Sequence, residues 1–444
     1  MDKRIHIRRS ASLTFRNYLI HFKWPLLGFI FFIIFILLNK MKFTLNKFSS
    51  IEYKDDIEIS FTDVIYPIDV LNQSHRNTSI LYYFARKEEQ KLIDDEKSNN
   101  KKYKTILPLI NNKSLSESYL ILEFTHVFGK PRFCSHSKED IFGNTCPYTN
   151  CEYTCNQKHE QDADVLLMHK RDLDSKKLET LKRNSEQIWL LWHDEPNEDS
   201  PNINKYKFNW TITYRMSAEA SLAAYGITVV KNKPWSMEKF NSWINEQFNK
   251  RYNQAVWFVS NCKPQKRLKK FRSLRQHYPI AAFGKCIPLN ETVSLNADIQ
   301  SKTECNRKSN CETFQLTTSK FYLAFESQSC TDYITEKFWR TLSVGAIPIV
   351  SGPERENFAR IAPPNSFIHV NDYSSDEELS KALNLIGTNR TLYGKYHVWR
   401  RYYDVYYQAK DVDPYRFCEL CYRLNTNKQR IWYENINDWF LEKC

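Results

Sequence analysis

The 444-residue sequence predicts an α/β protein of two domains, each built on a parallel sheet. Three observations carry that expectation. Short apolar runs recur with helix-like stretches between them, the pattern of strands joined by crossovers. With 42% hydrophobic and 15% aromatic residues, the chain can fill two sizeable cores. And residues 321–350, FYLAFESQSCTDYITEKFWRTLSVGAIPIV, read as a strand, a polar turn, a helix and a second strand in immediate succession.

Taken in order, residues 1–23 carry Lys3, Arg4, Arg8, Arg9, Arg16 and Lys23 against the single acid Asp2. Residues 24–38, WPLLGFIFFIIFILL, have no charge at all. The run is short for a membrane span, but Leu19, Ile20 and Phe22 extend it and Lys23 can snorkel. No small-residue cleavage site follows Leu38, so an uncleaved signal anchor with a cytoplasmic basic tail is expected rather than a removed signal peptide. Its shortness suits a thin early secretory membrane. Residues 39–116 are rich in Lys, Asn, Asp, Glu and Ser and read as a luminal stem. Residues 57–71 within it have strand-like alternation that could dock on the body.

The first domain, 117–236, is expected to use apolar runs at 119–124, 165–168, 188–192, 212–214 and 227–230 as strands. A polar helical stretch, 237–252, leads into the second domain, 237–444. Its strands are expected at 255–259, 280–283, 321–325, 346–350 and 367–370, with a mostly helical C-terminal segment from 375.

All twelve cysteines lie beyond residue 38, as do six N-x-S/T sequons at Asn72, Asn77, Asn112, Asn209, Asn290 and Asn389. Both facts fit an oxidising lumen, so disulfides are expected even where Cys146, Cys151, Cys155 and the Cys418-x-x-Cys421 pair suggest zinc. The net charge of +13 permits an anionic partner. Lys and Arg are scattered rather than gathered into a nucleic-acid-binding module, so no nucleic acid is expected and a nucleotide diphosphate suffices.

Only nine glycines occur, and neither G-x-G-x-x-G nor G-x-x-x-x-G-K-[ST] is present. That argues against dehydrogenases and P-loop NTPases and leaves side chains and a helix end to hold any phosphate. With Thr331 or Asp332 as N-cap, the helix in 321–350 would place Tyr333, Glu336, Lys337 and Arg340 on one face. Ile334, Phe338, Thr341 and Leu342 would fall on the other and pack against the sheet.

The segments FYLAFE, DYITEKFW, GAIPIV and PPNSFIHVNDY together resemble the α1,3-fucosyltransferases, glycosyltransferase family ten. The resemblance implies a GT-B-like arrangement, two Rossmann-like parallel-sheet domains facing a cleft, preceded here by a transmembrane anchor and stem. It implies that Tyr333, Glu336 and Lys337 line a GDP-fucose pocket, with Lys337 meeting charge on the departing diphosphate. The family commonly has FEN where this chain has Phe325-Glu326-Ser327, so Ser327 stands in for an asparagine. The segment SNCKPQKRLKKFRSL resembles the family's SN turn and helix, which makes Arg267 the second diphosphate cation. Asp194-Glu195-Pro196 resembles the family's Glu-Ser-Pro, whose glutamate is the base; by position Asp194 is favoured, with Glu195 beside it. His126 falls in a loop similar to the acceptor-side loop.

These residues imply an inverting transfer of L-fucose from GDP-β-L-fucose to N-acetylglucosamine of glycoprotein or glycolipid glycans. Transfer to the N-glycan chitobiose core is an alternative, and an inactive glycan-binding membrane protein is another, suggested by Ser327 and by Asp at the base position. Asp162-Ala163-Asp164 looks like a Mn-binding D-x-D but precedes a strand and reads as structural. No tightly bound cofactor and no protein-bound metal are expected, though Mn or Mg could assist the diphosphate. The expected setting is the Golgi membrane, single-pass type II, with homodimerisation through the stem or anchor left open.

Overall fold

The computed structural model describes residues 103–107, 117–196, 203–287, 305–426, 430–442 and 444. All belong to Tyr66–Cys444, the second of two compact units. The expected tail, anchor, docking segment at 57–71 and the sequons at Asn72, Asn77, Asn112 and Asn290 lie outside the described residues. Among the described residues no helix is long and apolar enough to cross a membrane.

Two antiparallel ribbons flank the body. Strand β1 (Lys104–Leu107), from the expected stem, pairs with β14 (Arg430–Tyr433) near the C-terminus. Strand β7 (Ile227–Val230) pairs with β13 (Tyr403–Tyr406) rather than extending the first sheet. The C-terminal segment is thus less purely helical than expected.

Two five-stranded parallel sheets organise the rest. The first comprises β2 (Tyr119–Glu123), β3 (Cys151–Thr154), β4 (Val165–His169), β5 (Ile188–Trp192) and β6 (Trp210–Ile212), in the order β3-β2-β4-β5-β6. The second comprises β8 (Tyr252–Phe258), β9 (Ile280–Phe283), β10 (Ser319–Phe325), β11 (Ile347–Ser351) and β12 (Ile368–His369), in the order β12-β11-β10-β8-β9. Central strands β4, β5 and β10 are buried along their whole length. A parallel strand covered on both faces needs the unbroken apolar runs VLLM, IWLLW and FYLAF.

Four helices bear on the site: α1 (Met237–Lys250), α2 (Gln265–Leu274), α3 (Glu336–Val344) and α4 (Ala409–Thr426). Helix α4 and the residues after it return to the first sheet, where Phe417, Leu420, Leu424, Tyr433, Trp439 and Phe440 join its core. Burying each of these side chains contributes roughly 1.5–3 kcal/mol over leaving it in water. Covalent bonds hold the same contact, because Cys146–Cys418 and Cys151–Cys421 link α4 to the first sheet and the loop before β3. The remaining pairs are Cys134–Cys155, Cys262–Cys286, Cys305–Cys311 and Cys330–Cys444, so all twelve cysteines are in disulfides, as expected over zinc.

Candidate active site

The donor segment begins where β10 ends. Helix α3 starts at Glu336 with Thr335 as its N-cap, three residues after the Asp332 expected for that role. The delay has a backbone cause: Asp332 takes φ +65°, a left-handed turn conformation that a helix N-terminus cannot continue through. Tyr333 therefore lies on the turn and not on the helical face with Glu336, Lys337 and Arg340. The Asp332 carboxylate accepts from the Met216 amide (3.0 Å) and Arg360 (3.1 Å), while its own amide donates to Asn357 (2.6 Å). Together with Cys330–Cys444, these bonds fix the turn to both sheets' surroundings.

The helix N-terminus is occupied by Glu326, a side chain with no role in the sequence-derived site. Its fully buried carboxylate accepts from the Thr335 amide (2.8 Å), from the Thr335 hydroxyl (2.9 Å) and from Lys337 Nζ (3.0 Å). Burial pushes the Glu326 carboxyl up, opposed by the Lys337 ammonium. Burial works against the charge on Lys337, yet Glu326 and Glu336 outweigh it and hold the ammonium above its ordinary range. For Glu336 burial is likewise outweighed, chiefly by Lys337, and its carboxyl is held low.

Arg267 reaches the same place from α2. Its guanidinium donates to the carbonyls of Asn261 (2.8 Å) and Phe325 (3.4 Å), and Nε is buried without a partner among the described residues. Burial lowers its pKa, with the Glu326 charge pulling the other way. Ser327 is half-buried beside the Tyr333 hydroxyl.

The acceptor-side acids follow β5, and they have different neighbours. Asp194 is gripped by Arg416 of α4 through both oxygens (2.5 and 2.9 Å), and Trp192 Nε1 donates to it (2.6 Å). Arg416 is itself buried, so this is a bidentate, charge-assisted pair that commits both Asp194 oxygens. Glu195 is exposed as a residue, and desolvation acts on its carboxyl, where Tyr333 and Tyr225 cover it. Tyr333 Oη donates to its Oε2 (2.9 Å), and Tyr225 Oη lies 3.3 Å from Oε1 while donating to the Asp194 carbonyl (2.5 Å). Burial raises the Glu195 carboxyl against the Tyr333 and Tyr225 hydrogen bonds and the Lys337 charge, which moves it toward the range of a working base. Tyr225 owes its place to Gly226, where a Cβ would fall 2.1 Å from the Trp339 ring of α3.

The two halves of the sequence-derived site thus meet through the Tyr333–Glu195 bond. His126 is exposed in the loop after β2, beside Phe128, which is 61% exposed, and no contact joins it to Glu195 among the described residues. The Asp164 carboxylate of the D-x-D accepts from the Leu120 amide (2.7 Å), a strand-anchoring bond. Among the described residues the one cluster with metal-ligand geometry, Glu123, Cys134 and Cys155, has its two sulfurs in a disulfide.

Against this geometry stand two family matches, the glycosyltransferase family 10 (fucosyltransferase) C-terminal region over residues 248–439 and the fucosyltransferase N-terminal region over residues 116–226. The chain belongs to glycosyltransferase family 10, the fucosyltransferases. The N-terminal match holds Asp194 and Glu195, and the C-terminal match holds Arg267, Ser327 and the Tyr333–Lys337 turn. Among curated fucosyltransferases, glycoprotein 3-α-L-fucosyltransferase A of Drosophila melanogaster is 28% identical over 66% of this chain and 55% of its own length. Mouse α-(1,3)-fucosyltransferase 7 is 29% identical over 68% of this chain and 72% of its own. Human 3-galactosyl-N-acetylglucosaminide 4-α-L-fucosyltransferase is 29% identical over 72% and 82%. The chain thus spans little more than half of the Drosophila relative. A solved α1,3-fucosyltransferase with GDP-fucose matches 72% of this chain and 95% of its own at 14% identity, with a TM-score of 0.40, too loose a likeness to build on.

Proposed function

We propose that this chain transfers L-fucose from GDP-β-L-fucose to the 3-hydroxyl of N-acetylglucosamine in glycoprotein or glycolipid glycans, with inversion. One observation carries the reading: Tyr333 of the donor turn donates to Glu195 of the acceptor-side sheet (2.9 Å). A base candidate and the cations for a leaving diphosphate are thereby held in one place.

In the reaction Glu195 accepts the hydroxyl proton as the new bond forms between the acceptor oxygen and the fucose anomeric carbon. On the opposite side the bond from that carbon to the β-phosphate oxygen breaks, and GDP departs with the electron pair. Lys337 and Arg267 meet the charge that develops there. Glu336 and Ser327 supply hydrogen-bonding groups at the donor, and His126 stands at the acceptor side. This reverses the order expected from position in Asp194-Glu195-Pro196, because Asp194 is spent on Arg416. The charged tail and the apolar run at 24–38 support a single-pass type II protein of the Golgi membrane with the catalytic unit luminal.

Incubation of the luminal part with GDP-fucose and a panel of N-acetyllactosamine, LacdiNAc and chitobiose-core glycans tests the reading. An α1,3-fucosylated product is expected, and the acceptor that yields it names the specificity. Glycan binding without transfer to any acceptor would favour the inactive glycan-binding protein instead.

A further inference from the structure

A cavity of about 310 Å³ lies at the C-terminal end of α3, the end opposite the donor turn. Arg400 lines it with Trp235, Trp243, Trp399, Lys231 and Asp404. Arg400 is only 8% exposed and has no carboxylate in salt-bridge reach among the described residues. Its Nε donates to His397 Nδ1 (3.1 Å) and its Nη2 to the Leu342 carbonyl, leaving Nη1 without a partner among the described residues. The helix's C-terminal carbonyls compensate part of the charge. The rings of Trp243 and Trp399, 4.9 and 4.3 Å from the guanidinium, compensate more, and burial still brings its pKa down to about 9.

The walls around this cation have the character of a sugar site. Trp235 and Trp243 are half-buried, with ring centroids 6.2 Å apart and planes at 57°, and the Arg400 guanidinium sits 4.9 Å from the Trp243 ring. Lys239 lies 4.9 Å from the Trp235 ring and adds positive charge beside it, whereas Lys231, 5.1 Å from the ring, is neutralised by Asp404. The one acid in the lining, Asp404, is already paired with Lys231. An aromatic wall accepts the apolar face of a pyranose, and the one unpartnered nitrogen of the buried guanidinium, Nη1, favours an anionic acceptor.

We propose that this cavity is a second carbohydrate-binding site, which takes one acidic sugar residue with its carboxylate or sulfate on Arg400 and its ring along Trp235 and Trp243. It is separate from the transfer site and does not depend on the assignment of Glu195.

The full chain in detergent is titrated with methyl β-D-glucuronide, N-acetylglucosamine 6-sulfate and methyl β-D-glucoside, read by calorimetry and saturation-transfer NMR. One or both anionic sugars should bind at least about tenfold more tightly than the neutral one, with the better of the two identifying the anion, and saturating GDP should not displace it. Trp235→Ala should weaken that binding about tenfold while leaving fucose transfer per folded molecule unchanged. Arg400→Gln should abolish the preference for anionic sugars; should that variant fold poorly, Trp235→Ala decides alone. Equal affinity for neutral and anionic sugars, displacement by GDP, retained binding in Trp235→Ala, or inorganic sulfate binding as tightly as the sulfated sugar would each overturn the proposal.

Discussion

Tyr333→Phe removes one hydroxyl and no ring packing, and its consequence can be worked out from Glu195. The hydroxyl donates to Glu195 Oε2 at 2.9 Å, stabilising the ionised carboxylate that must accept the proton. A hydrogen bond to a charged group contributes about 1.5 kcal/mol, equivalent to about one pKa unit. Burial already raises the Glu195 carboxyl, so losing this donor moves it further in the same direction. The base is active when deprotonated. The acidic limb of the kcat/KM profile should therefore shift up by about one pH unit, with activity on that limb falling about tenfold and the plateau above it far less affected. The assay is the pH dependence of fucose transfer from GDP-fucose, with folding checked by thermal melting. A limb that stays in place, or moves to lower pH, would refute the assignment of Glu195 as the titrating base.

Asp194→Asn should behave differently: it leaves the buried Arg416 without its counter-charge, so unfolding free energy should fall by about 3 kcal/mol in chemical denaturation, while turnover per folded molecule is largely kept. Paired replacement of Cys146 and Cys418 by serine should cost about 2–5 kcal/mol, measured the same way, because that link closes a separation of 272 residues between α4 and the loop before β3. Lys104→Met should lower the melting temperature by an amount equivalent to about 1–3 kcal/mol, since Lys104 bonds the buried Glu219 at 3.2 Å; a chain beginning at residue 117 should lose more, because it also takes β1 from β14 and Tyr103 from the core.

The two sheets are legible in the sequence because parallel strands covered on both faces must be continuously apolar, and IWLLW and FYLAF could be little else. Strand β3, CEYT, is not, because it is an edge strand with a single buried side chain. The start of α3 differs from its sequence expectation for a local reason: Thr331 and Asp332 are good caps by type, but the φ of Asp332 is set by Met216, Asn357 and Arg360, which are distant in sequence. The same limit applies to the base. Position in Asp194-Glu195-Pro196 favours Asp194, and the partner that engages Asp194, Arg416, lies 222 residues away. Glu326 stands inside the family motif, yet its role at the helix N-terminus depends on folding the turn back onto the strand end. Tyr225 has no motif to mark it; Gly226, beside a Trp that must pack closely, is the available signal.

The most direct test of the account is fucose transfer by Glu195→Gln, with GDP-fucose affinity measured in parallel. Loss of the general base should lower kcat by about a hundredfold to ten-thousandfold while leaving donor affinity within a few-fold of the parent chain. Turnover that survives in Glu195→Gln but disappears in a well-folded Asp194→Asn would contradict it.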